Sequence, residues 1–260
     1  MLQRKVFLTV VFIASFLFAL VSAAAQTVKS DALYWQPERL KLNGVGEPNP
    51  KAKEDDYNQV MTEPFYPIGW SEDGKFAYYV EPADEACGCY YGTLVIQDLK
   101  TDKILWKDKY SGGDNEPVNE NETIKDHWKD KQKLFYEKLA EYGIKQQKQF
   151  TLNYPSLKFE NDLLTPKLEM NIKTDGNFYV DGTVKLLMIS KSKGKKTIYE
   201  ERYKPKDTNG FRGAEVSGVL LSPFEARAAV VVIEVNRGYE GPPNVASINI
   251  VGSTLTTGFR

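Results

Sequence analysis

From Phe65 to Trp106 the chain reads FYPIGWSEDGKFAYYVEPADEACGCYYGTLVIQDLKTDKILW, short apolar and aromatic runs separated by polar turns and by one loop carrying Cys-Gly-Cys. Phe76, Tyr78 and Val80 alternate with Ala77, Tyr79 and Glu81, and an extended chain places such alternating sets on opposite faces. Asp73-Gly74 precedes that run. Glycine accepts a positive φ there and aspartate bonds its own backbone, so the pair predicts a tight turn. Thr93 to Gln97 is β-branched and apolar, "DLKTDK" is a second polar turn, and Ile104 to Trp106 supplies another strand. A stretch patterned in this way is committed to antiparallel sheet.

The same period returns further on. "LKFEN", "KLEMNIKTDG", "FYVDGTVKLLMISKS" and "KKTIYEERY" read as strands joined by Asp-Gly and by "KSKGKK", an exposed hairpin tip for which contact with anionic lipid is the alternative. "AAVVVIEV", Ala228 to Val235, is apolar on both alternating sets until Glu234, which predicts a strand buried on both faces. "ASINIVG" is a shorter alternating strand. Between residues 121 and 143 the period changes: Ile124, Trp128, Phe135, Leu139 and Tyr142 recur at helical spacings. This predicts an amphipathic helix capped by Asn121 or Thr123, stopped near Gly143, with its apolar stripe covering a sheet. Nearer the start, Leu33, Trp35 and Leu40/Leu42 suit a first strand or a strand-like edge, and Pro48, Pro50 and "KEDD" a loop. The expected fold is mainly β (α+β): antiparallel blade-like sheets with one long amphipathic helix across them.

Arg4 and Lys5 precede an apolar run from Val6 to Leu20 and then the small residues of "VSAAAQ". That is the plan of a secretory signal peptide over residues 1–25, cut after Ala25 or Ala23. The run is shorter than the ~20 residues a spanning helix needs, and an uncleaved N-terminal anchor is the alternative. Residues 26–260 then form a single mainly-β domain, exported to the periplasm or secreted, with no membrane span after cleavage. Lys plus Arg number 34 against 35 Asp plus Glu; a general nucleic-acid binder is more basic than this.

Two passages share a plan of apolar residue, serine, turn, aliphatic strand, loop and aliphatic strand. One runs through Ser71, the other through Ser222. "WSEDGKFAYYV" is similar to a blade of periplasmic β-propellers, with Glu72 where that pattern has proline. A propeller needs at least four such blades, so a closed propeller is rejected. A fuller likeness rests on Ser71, Asp73, Gly74 and Ala77, on Ile96, Asp98 and Leu99, and on Gly238-Tyr239-Glu240-Gly241-Pro242. On these motifs the chain resembles an uncharacterised family of predicted secreted bacterial proteins. The resemblance implies an exported, mainly-β protein and no known reaction; the Cys-Gly-Cys insert lies outside the pattern.

Cys87 and Cys89 are the only cysteines. In an oxidising compartment they suggest a disulfide, in the first place a passive clip closing the aromatic loop. A redox-active pair is the second reading, and free thiols, metal or intermolecular bonds the remainder. The lone His127 with two cysteines cannot make a four-ligand zinc site, so no metal is expected, and His127 reads as a half-exposed helical histidine. Neither a nucleophile elbow nor a phosphate-cradling loop is present, so no catalytic residue and no cofactor are assigned. Two loops remain: one carries Tyr90 and Tyr91, the other Arg237, Tyr239 and Glu240. Tyr and Arg are enriched at binding hot spots, although Tyr239 packing back on its sheet is the structural alternative. The expectation is a non-enzymatic binding or structural protein of the bacterial cell envelope, its partner an unknown envelope protein or small ligand. A thiol-disulfide redox protein using Cys87 and Cys89 is the alternative.

Overall fold

The computed structural model describes residues 36–44, 60–83, 89–112, 122–175, 178–203, 210–238 and 241–260. The signal-peptide region, Leu33, Trp35, the Pro48–Pro50 loop, Asn121, Cys87, Tyr239 and Glu240 lie outside them. The described part of residues 36–260 belongs to one compact unit.

The described residues form thirteen strands and one helix, in order: β1 (Val60–Thr62), β2 (Phe65–Trp70), β3 (Lys75–Val80), β4 (Tyr91–Asp98), β5 (Lys103–Ser111), α1 (Ile124–Glu141), β6 (Lys145–Gln146), β7 (Leu157–Phe159), β8 (Asp162–Asp175), β9 (Phe178–Ser190), β10 (Gly194–Tyr203), β11 (Phe211–Leu221), β12 (Arg227–Gly238) and β13 (Gly241–Thr254). They form three sheets, ordered β5-β4-β3-β2-β6, β1-β13-β12-β11 and β10-β9-β8-β7. Every pairing is antiparallel except β1 with β13. None of the three sheets closes on itself, in keeping with the rejection of a propeller. The short β1 and β6 carry no alternation of their own and escape the sequence pattern.

The β11–β13 sheet is the middle layer. Ala229, Val231 and Ile250 pack on Phe65, Trp70, Phe76, Tyr78, Val80 and Val95 of the β2–β5 sheet. Ala228, Val230, Val232 and Val251 pack on Leu157, Leu164, Leu186 and Met188 of the β7–β10 sheet. This is why β12 is apolar on both alternating sets: each set has its own core. Phe65 and Trp70 are five residues apart yet share a face, because β2 shifts register between Pro67 and Gly69. Leu40 and Leu42, expected near a first strand, lie in an irregular segment packed on the same core, where the Leu40 N–H donates to the Phe65 carbonyl at 2.8 Å.

Each of the two serines opens a turn closed by a backbone bond, the first spanning four residues and the second five. The Ser71 N–H bonds the Lys75 carbonyl at 3.0 Å, and the Ser222 N–H bonds the Arg227 carbonyl at 2.9 Å. Gly74, at φ +95°, supplies the left-handed residue of the first turn, and its α-carbon faces the Glu225 and Arg227 side chains of the second. Since the turns adjoin, the β3–β4 connection and the β12–β13 hairpin both leave the opposite end of their sheets.

Beyond its short pairing with β1, the outer edge of β13 is satisfied by side chains instead of a strand. The Ile248 N–H donates to Glu63 Oε2 at 2.9 Å, Gln97 Nε2 donates to the Ile250 carbonyl at 2.8 Å, and the Gly252 N–H donates to Asp102 Oδ1 at 2.7 Å. These bonds tie the first two layers together and leave fewer backbone groups of an exposed edge unpaired. Burial pushes the Glu63 carboxyl up to about 7, although the Ile248 N–H acts in the opposite direction.

The helix lies across the outer face of the β2–β5 sheet. Thr123 caps it, with its backbone N–H and hydroxyl donating to Asp126 Oδ2 at 3.1 and 2.7 Å. Gly143, at φ +69°, turns the chain out of the helix. Its buried residues are Ile124, His127, Trp128, Phe135 and Leu139, the expected stripe with one polar member added.

Candidate functional site: a tyrosine-histidine chain beneath an acidic cleft

Strand alternation builds this site. Tyr79 of β3 and Trp106, Asp108 and Tyr110 of β5 all face the helix, where Trp106 meets Phe135 and Tyr110 stacks on the His127 ring at a 4.4 Å centroid distance. His127 is therefore not the half-exposed histidine that the sequence suggests: it is 1 % exposed. The stripe rule assigns apolar residues to the covered face, and His127 sits beside Trp128 on that face because Tyr79 and Tyr110 accommodate its ring.

A hydrogen-bond chain runs outward from it. His127 Nδ1 is 2.6 Å from the Tyr79 hydroxyl, which is 2.7 Å from the Tyr90 hydroxyl. On the inner side, His127 Nε2 lies 3.7 Å from Asp108 Oδ2, and both atoms are buried without a hydrogen-bond partner among the described residues. A neutral imidazole carries one N–H. Placing it on Nδ1 would turn a lone pair toward a buried carboxylate, so it belongs on Nε2, facing Asp108. Nδ1 then accepts from Tyr79, and Tyr79, its proton committed, accepts from Tyr90. Burial, the neighbouring Tyr79 and Glu81 hold the Tyr90 phenol far above its ordinary value, so it stays protonated.

Tyr90 opens onto a cleft of about 320 Å³ lined by residues from four stretches of chain, among them Met61, Glu81, Cys89, Tyr91 and Glu122. The Glu81 carboxylate accepts the Tyr66 hydroxyl at 2.7 Å, and Glu122 accepts the Tyr110 hydroxyl at 2.6 Å. Of the residues expected at the site, Cys89, Tyr90 and Tyr91 line this cleft, and Cys89 is buried. Arg237 does not line it, and is exposed at the end of β12. Register still relates the two loops: Met61 pairs with Val245, and Val245 with Asn236, the residue before Arg237. Two strand spacings separate Met61 from Asn236, about 10 Å.

Glu81, Glu122, Tyr79, Asp108 and Tyr110 were not singled out from sequence. The available signal was the alternation itself, which puts Tyr79 and Glu81 on one face and Asp108 and Tyr110 on the face matching it. Among the described residues no group of three or more His, Cys, Asp and Glu could hold a metal ion.

Two buried groups give stability an opposed pH dependence. Burial, with Lys131 nearby, lowers His127 from 6.5 to about 4. The stability from keeping it neutral is present above pH 6.5 and is lost as pH falls through about 4. Glu63 is raised from 4.5 to about 7, so its contribution is present below pH 4.5 and is lost as pH rises through about 7. Each swing is on the order of 3 kcal/mol and they offset each other between pH 4.5 and 7. Urea unfolding across that window should show His127→Gln losing stability as pH rises and Glu63→Gln gaining it. Parallel slopes in the two variants would contradict the assignment.

Comparison with protein-family models, with curated proteins and with solved structures finds no match to the chain.

Proposed function

We propose that this is an exported binding protein of the bacterial cell envelope, whose ligand site is the cleft around Tyr90 and Tyr91. The observation that carries the reading is the convergence of four separate stretches on a 320 Å³ cleft walled by those two tyrosines, above a buried chain that fixes one of them. Tyrosine offers a large contact area with few torsions to freeze, and pre-ordering Tyr90 reduces the entropy lost on binding. Binding is favoured over reaction because the Tyr90 phenol is held protonated and His127 is sealed beneath the sheet-helix interface. Export is supported by the N-terminal pattern of basic, apolar and small residues. A local Cys87–Cys89 disulfide fits this reading as a clip on the cleft wall. A thiol-disulfide role has less support, since a reactive cysteine needs an accessible sulfur and Cys89 is only 6 % exposed.

The test places a photo-crosslinking benzoylphenylalanine at Ala83, on the cleft wall, in the full chain expressed in an exporting host. A discrete adduct that disappears with Tyr90→Ala and Tyr91→Ala is expected. No adduct, or an adduct indifferent to both substitutions, would overturn the proposal.

A further inference from the structure

The cleft's polar groups point to a particular ligand chemistry, an inference that rests on reading the cleft as a binding site. Among the described residues its charged lining consists of Glu81 and Glu122, with no lysine or arginine. Both carboxylates are oriented from behind, by Tyr66 and Tyr110 respectively, and each keeps further lone pairs to offer. The hydroxyl protons on the lining that the hydrogen bonds define are committed elsewhere: Thr123 donates to Asp126. The Tyr90 hydroxyl lies 2.7 Å from the Tyr79 hydroxyl and also hydrogen-bonds Glu81, so one site on that carboxylate is already occupied from within the cleft wall. What Tyr90 presents to the cleft is its aromatic ring. A lining of anchored acceptors and tyrosine rings is matched by a group that donates, carries positive charge and tolerates a π surface. The whole chain has a net charge of only −1, so the acidity belongs to the cleft and not to the molecule at large.

We infer that the ligand presents an organic cation, a guanidinium or alkylammonium group, to Glu81 and Glu122 between Tyr90 and Tyr91. The group can come from a small free amine or from a basic peptide side chain, and the experiment separates these sources. Isothermal titration of the full chain, in about 150 mM NaCl to suppress diffuse attraction, would use agmatine, the peptide acetyl-Gly-Arg-Gly-amide and its neutral citrulline counterpart. Saturable binding of agmatine or the arginine peptide is expected, the tighter of the two naming the source. Binding should weaken about tenfold or more in Glu81→Gln and in Glu122→Gln, as for loss of a charge-assisted bond, and be absent for the citrulline peptide. Glu122 immediately precedes the helix cap and accepts from the Tyr110 hydroxyl, so its variant tests the idea if Glu81→Gln unfolds. No saturable binding, equal binding of the citrulline peptide, or unchanged affinity in Glu122→Gln would overturn the inference. A crosslinked adduct at Ala83 alongside any of those results keeps the binding cleft and removes the cation; loss of both removes the cleft as well.

Discussion

Trp128→Ala is expected to destabilise the protein by about 3–5 kcal/mol, the range for truncating a buried tryptophan. For a domain of this size that lowers Tm by about 10 °C or more. Trp128 is fully buried, with its ring 5.0 Å from Phe135 and 6.3 Å from Tyr79. The loss would reach the site, because His127 is the preceding residue and depends on α1 lying flat on the sheet. Trp128→Phe keeps an aromatic ring against both neighbours and should cost less than half as much. Thermal denaturation of both variants decides the matter: a Trp128→Ala midpoint within about 2 °C of wild type would mean that the helix contributes little to the fold.

Much of the architecture is legible in the sequence because strand and helix periods are strong local signals. The β3–β4 alternation, the two-faced apolar run of β12 and the helix stripe each name their own element and its buried faces. What the pattern lacks is the identity of the covering partner. That β12 lies between two other sheets is set by contacts with Phe76 and Tyr78 on one side and Leu186 and Met188 on the other, far away in sequence. Glu234 ends the apolar run for a similar reason: the Tyr203 hydroxyl, on another sheet, meets its carboxylate at 3.3 Å. The site divides along the same line. Tyr90 and Tyr91 stand out as aromatics in a loop, whereas Glu81, Asp108 and Glu122 look like ordinary surface acids until the fold brings Glu81 and Glu122 to the cleft beside those tyrosines and Asp108 against the buried His127. His127 misleads because its partners, Tyr79 and Asp108, come from two strands that precede the helix.

Gly252→Ala should prove nearly as damaging, at about 3 kcal/mol or somewhat more, the upper part of the range for overpacking. A β-carbon on Gly252 would lie 1.9 Å from the Leu99 carbonyl oxygen and 2.7 Å from its carbon, atoms of the backbone that no rotamer change can move. That carbonyl is already held by Arg227 Nη1 at 2.9 Å, and the Gly252 N–H is held by Asp102 at 2.7 Å. Relief therefore requires the two sheets to separate where side-chain bonds replace a strand along the β13 edge, breaking one or both of these contacts and exposing buried polar groups. The same substitution at Gly213, where an added β-carbon meets nothing within 4 Å, is the control and should change stability far less. Chemical denaturation of the pair isolates the effect of close approach from that of removing a glycine. If Gly213→Ala and Gly252→Ala shift the midpoint equally, the two sheets do not meet at Leu99 as described. If only Gly252→Ala does so, and the crosslinked adduct at Ala83 is lost in parallel, the packing of the first sheet on the second is what holds the Tyr90 wall in place.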